Sequence, residues 1–219
     1  MIEYLLRINA KAKAQAELIA LQENVGEDPA QQKRLGDLFL CAQDYERALA
    51  AYHISLRANR HDAAALAGAG WAAFQLGRYP LAERYLQVAV ALDPNDTESA
   101  ERLKTTQLVL GMDPFRRQIS VDDRNKIVVE AFSAAGKRLS SCATPKAAGA
   151  STSLQPSLAE SWAKLKPLIT EQQLRRNPNL AEQAMELVFE IERQTSATCG
   201  SPTGEDLALL LISKLPEGN

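Results

Sequence analysis

AAALAGAGWAAFQLGRYPLAERYLQVAVALDPND, running from Ala63 to Asp96, is the stretch whose reading decides the fold. Within it Gly70, Gly77, Tyr79, Ala82, Ala89 and Pro94 fall at the spacing of a helix, a tight turn, a second helix and a stop. The small residues have a steric cause. They mark where two helices of a hairpin cross closely, since a larger side chain would push the axes apart. Composition agrees, with 46% hydrophobic residues, 24% charged and only 5% aromatic among the 219. Few β-branched residues alternate, so little or no sheet is expected.

The 34 residues upstream, Pro29 to Asp62, align with this segment without a gap. Leu35, Gly36, Tyr45, Ala48, Tyr52 and Ser55 take the matching offsets. Arg60 stands where the second segment has Pro94, and Asn59 can end that helix instead. Further upstream, Ala14, Leu18 and Leu21 continue the frame. Residues 1–28 therefore read as the helix completing a repeat whose first helix would begin before Met1. A helical periodicity (Leu5, Leu6, Ala12, Ala16, Ile19) starts almost at Met1. Downstream, residues 97–111 read as a polar-faced capping helix with Glu98, Glu101, Arg102, Lys104 and Thr105, stopped by Gly111 and the Asp113-Pro114 turn.

These residues resemble the tetratricopeptide repeat family, whose pattern asks for small residues at the eighth, twentieth and twenty-seventh positions and proline at the thirty-second. Gly36 and Gly70, Ala48 and Ala82, Ser55 and Ala89, and Pro94 supply them. The resemblance covers about residues 10–111 and implies a right-handed superhelix of hairpins. It also implies a concave groove lined by the first helix of each repeat. Here that line is Ala30, Lys33, Asp37, Leu40 and Cys41, then Ala64, Ala67, Trp71, Phe74 and Gln75, continued by Glu101, Thr105 and Leu108. Lys33, Asp37, Cys41, Trp71, Phe74, Gln75, Glu101 and Thr105 are the expected partner-binding residues. Some family members hold a partner's C-terminal carboxylate with lysine, arginine and asparagine. Asp37, Ala67 and Trp71 do not fit such a clamp. Trp71 either anchors a partner's apolar side chain or is covered by the chain's own C-terminal helices, and the sequence leaves both open.

Residues 112–219 read as a separate helical region. Asp122 or Asp123 is expected to cap a helix with the stripe Ile127, Val128, Ala131, Phe132, Ala135 and Leu139, ending about Cys142. Residues 143–156, rich in Ala, Ser, Thr, Gly and Pro, read as a flexible loop. Ser157 and Glu160 suggest a capping box before Leu158, Trp162, Leu165 and Leu168, with Pro167 interrupting. Asn177-Pro178 opens a helix with Leu180, Ala184, Leu187, Val188 and Ile191. Thr203 caps a last one from Glu205 to Leu215, apolar enough to sit between others. Four helices would close a small bundle, giving an all-α chain in two parts.

Catalytic signatures are absent. The chain has no phosphate loop, no H-E-x-x-H and no G-x-S-x-G, and its two histidines, His53 and His61, lie in a helix and a turn. Three scattered cysteines offer no C-x-x-C, so neither a metal site nor a cofactor is expected. A net charge of -2 and short basic pairs give no nucleic-acid footprint. No apolar run reaches the roughly 18 residues of a membrane span. Cys41 reads as a half-buried helix residue. Cys142 and Cys199 each follow a predicted helix and could form a disulfide closing a loop of nearly sixty residues, or remain thiols. A bridge would place them in an oxidising compartment, and with the mid-repeat start it would fit the exported part of an anchored bacterial protein. The expected function is a non-catalytic scaffold whose groove binds a partner's peptide or helix. The alternative is an assembly subunit or homodimer in which the protein's own or a second copy's helix fills the groove.

Overall fold

The computed structural model describes residues 2–8, 11–143 and 156–215, and among them every regular element is a helix. No helix of these residues is long and apolar enough to cross a membrane. Most of the loop expected over 143–156, and the side chains of Leu5 and Leu6, lie outside the described residues. The chain divides into two compact units, 1–106 and 107–219. The division falls inside a helix that runs past Gly111, so the glycine does not stop it.

In the first unit, α1 (Ile2–Arg7) and α2 (Lys11–Val25) precede the two hairpins. The hairpins are α3 (Pro29–Cys41) with α4 (Tyr45–Ala58), and α5 (Ala63–Gln75) with α6 (Tyr79–Leu92). Helix α7 (Thr97–Met112) follows. Aspartates start most of these helices. Asp28, Asp44 and Asp62 accept hydrogen bonds from the amides of Gln31, Arg47 and Ala65, satisfying donors that a helix start leaves orphaned. Asp96 does the same for Ser99. Between the hairpin helices, Gly77 has a φ of +70° and Gln43, at the matching place, +62°. Glycine adopts this left-handed turn without strain, whereas glutamine does not. Helix α4 ends with the amide of Asn59 donating to Ser55, as α6 ends with that of Asp93 donating to Ala89, so the stop does not depend on the proline. Along α2 the repeat-frame residues Ala14 and Leu18 are fully buried, while Ala12, Ala16 and Ile19 are exposed. The frame identifies the inner face, and the simpler stripe does not.

Tyr52 closes this unit. Its side chain is fully buried on α4, between α3 and α5. A Cβ added at Gly36 would come within 2.8 Å of its ring, and one at Gly68 would do the same. Gly70 leaves comparable room for Leu86. The small residues of each first helix therefore admit a large residue of a second helix.

In the second unit, α8 (Val121–Ala143) and α11 (Asn179–Thr198) form the central pair, joined by α9 (Pro156–Leu165), α10 (Glu171–Arg176) and α12 (Gly204–Ile212). Among the described residues five helices pack here where four were expected. The short α10 buries Leu174 and is capped by Thr170. Ser120, one residue ahead of α8, accepts from the Asp123 amide and donates to its carboxylate, so Asp122 and Asp123 sit in the first turn instead of capping it. Ser157 lies in the first turn of α9, and Leu168 is exposed beyond the interruption at Pro167. The α8 stripe is buried from Val128 to Leu139, and Ile127 at its start is half-buried. Its Gly136 faces the Trp162 ring, which stacks on Phe132 at 5.6 Å and donates to the Phe132 carbonyl at 3.2 Å. Thr203 makes no side-chain cap bond to α12, which buries Ala208, Leu209 and Ile212, half-buries Leu207, Leu210 and Leu211, and packs against both α8 and α11. Cys142 and Cys199 are bridged, with Cα atoms 5.6 Å apart, which ties the ends of α8 and α11. Closing that loop stabilises by about 4 kcal/mol on the chain-entropy model.

Gly68→Ala is expected to destabilise the chain by about 1 to 3 kcal/mol, because Tyr52 must leave its rotamer or α5 must shift. Gly111→Ala, with open space around its Cβ, is expected to stabilise by up to about 1 kcal/mol through helix propensity. Urea unfolding of both variants checks the pair. Equal midpoints would show that the Tyr52 contact does not set the helix spacing.

Candidate partner-binding groove

The first helices α3, α5 and α7 carry the residues expected to line the groove. Trp71 is half-buried on α5. Its ring stacks on Phe74, one turn on, with centroids 5.4 Å apart. Phe74 in turn meets the edge of Tyr79 at 5.5 Å, where burial pushes the Tyr79 phenol up to about 12. The guanidinium of Arg102, from α7, lies 4.1 Å from the Trp71 ring centroid. At that distance it is held by the ring's negative face. Arg102 also pairs with Glu98, one turn back on its own helix. Trp71 thus has an aromatic neighbour within its own helix and a cation from the next.

Two of the three charged residues expected to face a partner, Lys33 and Asp37, are engaged within the protein. Lys33 reaches the Asp62 carboxylate at 3.0 Å, the same aspartate that caps α5. Burial works against the Asp62 charge, but the Ala65 amide and the Lys33 ammonium outweigh it and hold the carboxyl below its usual range. Asp37 accepts a 2.6 Å hydrogen bond from the Tyr52 hydroxyl. Burial first, then that bond, pushes the phenol well above its usual range.

Of the remaining expected residues, Cys41, Gln75 and Glu101 are exposed. Cys41 is a free thiol, more open than the half-buried position expected of it. The Thr105 hydroxyl donates to the Glu101 carbonyl at 3.0 Å. The structure therefore brings Trp71 and Phe74 together and adds Arg102. Sequence reasoning placed Arg102 only on the polar face of the capping helix. Its signal was its place in the repeat frame, next to Glu101 on the groove line. A shallow depression lies elsewhere, on the second helices, lined by His53, Ile54, Arg57, Arg60 and Tyr85. His53 bonds Tyr85 there at 2.6 Å, and burial, with the Arg78 charge, lowers its proton affinity.

With Trp162 replaced by phenylalanine, Trp71 is the single tryptophan reporter. Arg102→Ala in that background is expected to red-shift Trp71 emission and to increase acrylamide quenching. Unchanged emission and quenching would show that Arg102 does not cover the ring.

No curated protein matches the chain. The sequence model of the tetratricopeptide repeat family matches residues 33–97, which span the second part of α3 through the start of α7. That segment of the chain is a tetratricopeptide-like repeat.

Proposed function

We propose that the repeat segment is a non-catalytic protein-binding scaffold, and that the face carrying Trp71, Phe74 and Arg102 receives a peptide or helix of a partner. The carrying observation is the half-buried Trp71–Phe74 stack on a first helix, the surface by which such repeats bind proteins. Aromatic residues with a nearby arginine dominate interface energetics, because they bury large area with few rotatable bonds. The internal engagement of Lys33 and Asp37 supports recognition through apolar contact over capture of a carboxylate. Affinity capture from the source cells with wild-type and Trp71→Ala baits tests this. A partner held by wild type should lose at least roughly tenfold in recovery with Trp71→Ala, the scale of a hot-spot truncation. Equal recovery from both baits overturns the groove reading. A stable dimer in light scattering, with Trp71 shielded from quencher, would instead support a groove filled by a second copy.

The bridge between Cys142 and Cys199 supports a location outside a reducing cytoplasm, and we place the protein in an oxidising compartment. Mass spectrometry of the alkylated, non-reduced protein from its native source should show two fewer free thiols than residues Cys41, Cys142 and Cys199 provide. Three alkylated thiols would remove the case for export.

A further inference from the structure

Glu192 sits on the inner face of α11, fully buried, and neither of its carboxylate oxygens has a hydrogen-bond partner. The charges that act on it are Asp206 from α12 and Arg138 from α8, and Glu205 stands behind Asp206. Arg138 is already engaged. Its Nη2 donates to the Gly200 carbonyl at 2.7 Å, and its Nε lies 3.5 Å from the Thr195 hydroxyl and 3.8 Å from the Asp206 carboxylate. An ionised carboxylate cannot rest unpartnered in such a site, so Glu192 is held as the neutral acid. Burial, then the Asp206 charge, raises its proton affinity against the pull of Arg138, to about 8. Burial raises the affinity of Asp206 as well, against the same arginine.

Ionising Glu192 has two effects, and both fall on the same stretch of chain. It competes for the guanidinium that holds Gly200 and Asp206, and it repels Asp206. That stretch is the turn 199–204 and α12. Helix α12 has nine residues and fully buries three apolar side chains, with Leu207, Leu210 and Leu211 half-buried. A helix this short does not persist without its packing. The α8–α11 pair has no such dependence, being closed by a long apolar stripe and by the Cys142–Cys199 bridge.

We propose that Glu192 is a proton-controlled latch for α12: protonated, it leaves Arg138 free to hold the 199–204 turn and Asp206, and ionised, it releases α12 while α8 and α11 stay joined. Docked Glu192 binds its proton more tightly than an exposed glutamate does. Docking is therefore at full strength below the ordinary glutamate range, weakens as pH rises through it, and levels off near the docked value of about 8.

Hydrogen exchange of the full chain, corrected for intrinsic rates, tests the latch. Between pH 5.5 and pH 9, protection over residues 205–212 should fall by up to roughly tenfold per pH unit and then level. Protection in α8 and α11 should hold. Glu192→Gln, which cannot ionise, should keep α12 protected at pH 9. Asp206→Asn should move the levelling point to lower pH. A flat wild-type profile, the same fall in Glu192→Gln, an unmoved levelling point in Asp206→Asn, or a uniform loss across α8, α11 and α12 would each overturn the latch.

Discussion

The Tyr52 side chain is the wedge on which the repeat unit depends. It enters from α4 between Gly36 of α3 and Gly68 of α5, and it ends in a hydrogen bond to Asp37. A buried tyrosine brings large apolar area but must also satisfy its hydroxyl. Here the aspartate one helix away supplies the acceptor while itself remaining near solvent. The two absent Cβ atoms set the axial distance from α3 to α4 and from α4 to α5. Through α5 they set where Trp71 stands. A mistake in this packing would displace the aromatic pair without touching it, because side chains in a close-packed interior transmit strain.

The repeat unit was legible because its sequence signal and its steric cause are the same thing. Gly36 and Gly70, Ala48 and Ala82, and Ser55 and Ala89 recur at one interval because the crossings recur at it. Asp28, Asp62 and Asp96 recur at that interval too, each capping a first helix. Caps were a second periodic signal, readable but read only as boundaries. What the sequence could not show was how far a polar side chain reaches. Lys33 and Asp37 stand on the line expected for the groove, yet Lys33 is drawn to the cap of α5 and Asp37 to Tyr52 of α4, and Arg102 is drawn to Trp71 from beside that line. Repeat position fixes where a residue starts, while rotamer and neighbour fix where it ends.

In the second unit no repeat constrained the reading, and local signals competed. Ser120, Asp122 and Asp123 are all able caps, and which one precedes the first helical residue depends on a single backbone turn. The six residues of α10 are too few to show periodicity, so Leu174 gave no warning of a helix. The stripe of α8 was clear because its residues follow a spacing of about 3.6 over many turns. The bridge was foreseeable as a pairing of helix ends. That Glu192 is buried without a partner was not, since nothing local separates it from the other glutamates of α11, Glu182, Glu186 and Glu190.

The groove raises a question of magnitude. A partner docking on Trp71 would displace or share Arg102, whose half-buried cation–π contact is worth about 0.5–2 kcal/mol and whose pairing with Glu98 is worth less. Burying a further ~100 Å² of ring surface contributes about 2.5 kcal/mol. Apolar burial therefore outweighs the contact it disturbs. A partner approaching with a carboxylate meets a different balance. Lys33 would have to leave an aspartate whose own proton affinity is lowered by that lysine and by a backbone amide, and the cap of α5 would lose its counter-charge. Arg102 would then be the cation nearest the aromatic pair, still partly held by Glu98. On the proposed groove, this arrangement would favour a partner that presents an apolar side chain to the rings and asks little of the charges around them, the selectivity expected where a fold satisfies the ions of a binding surface from within.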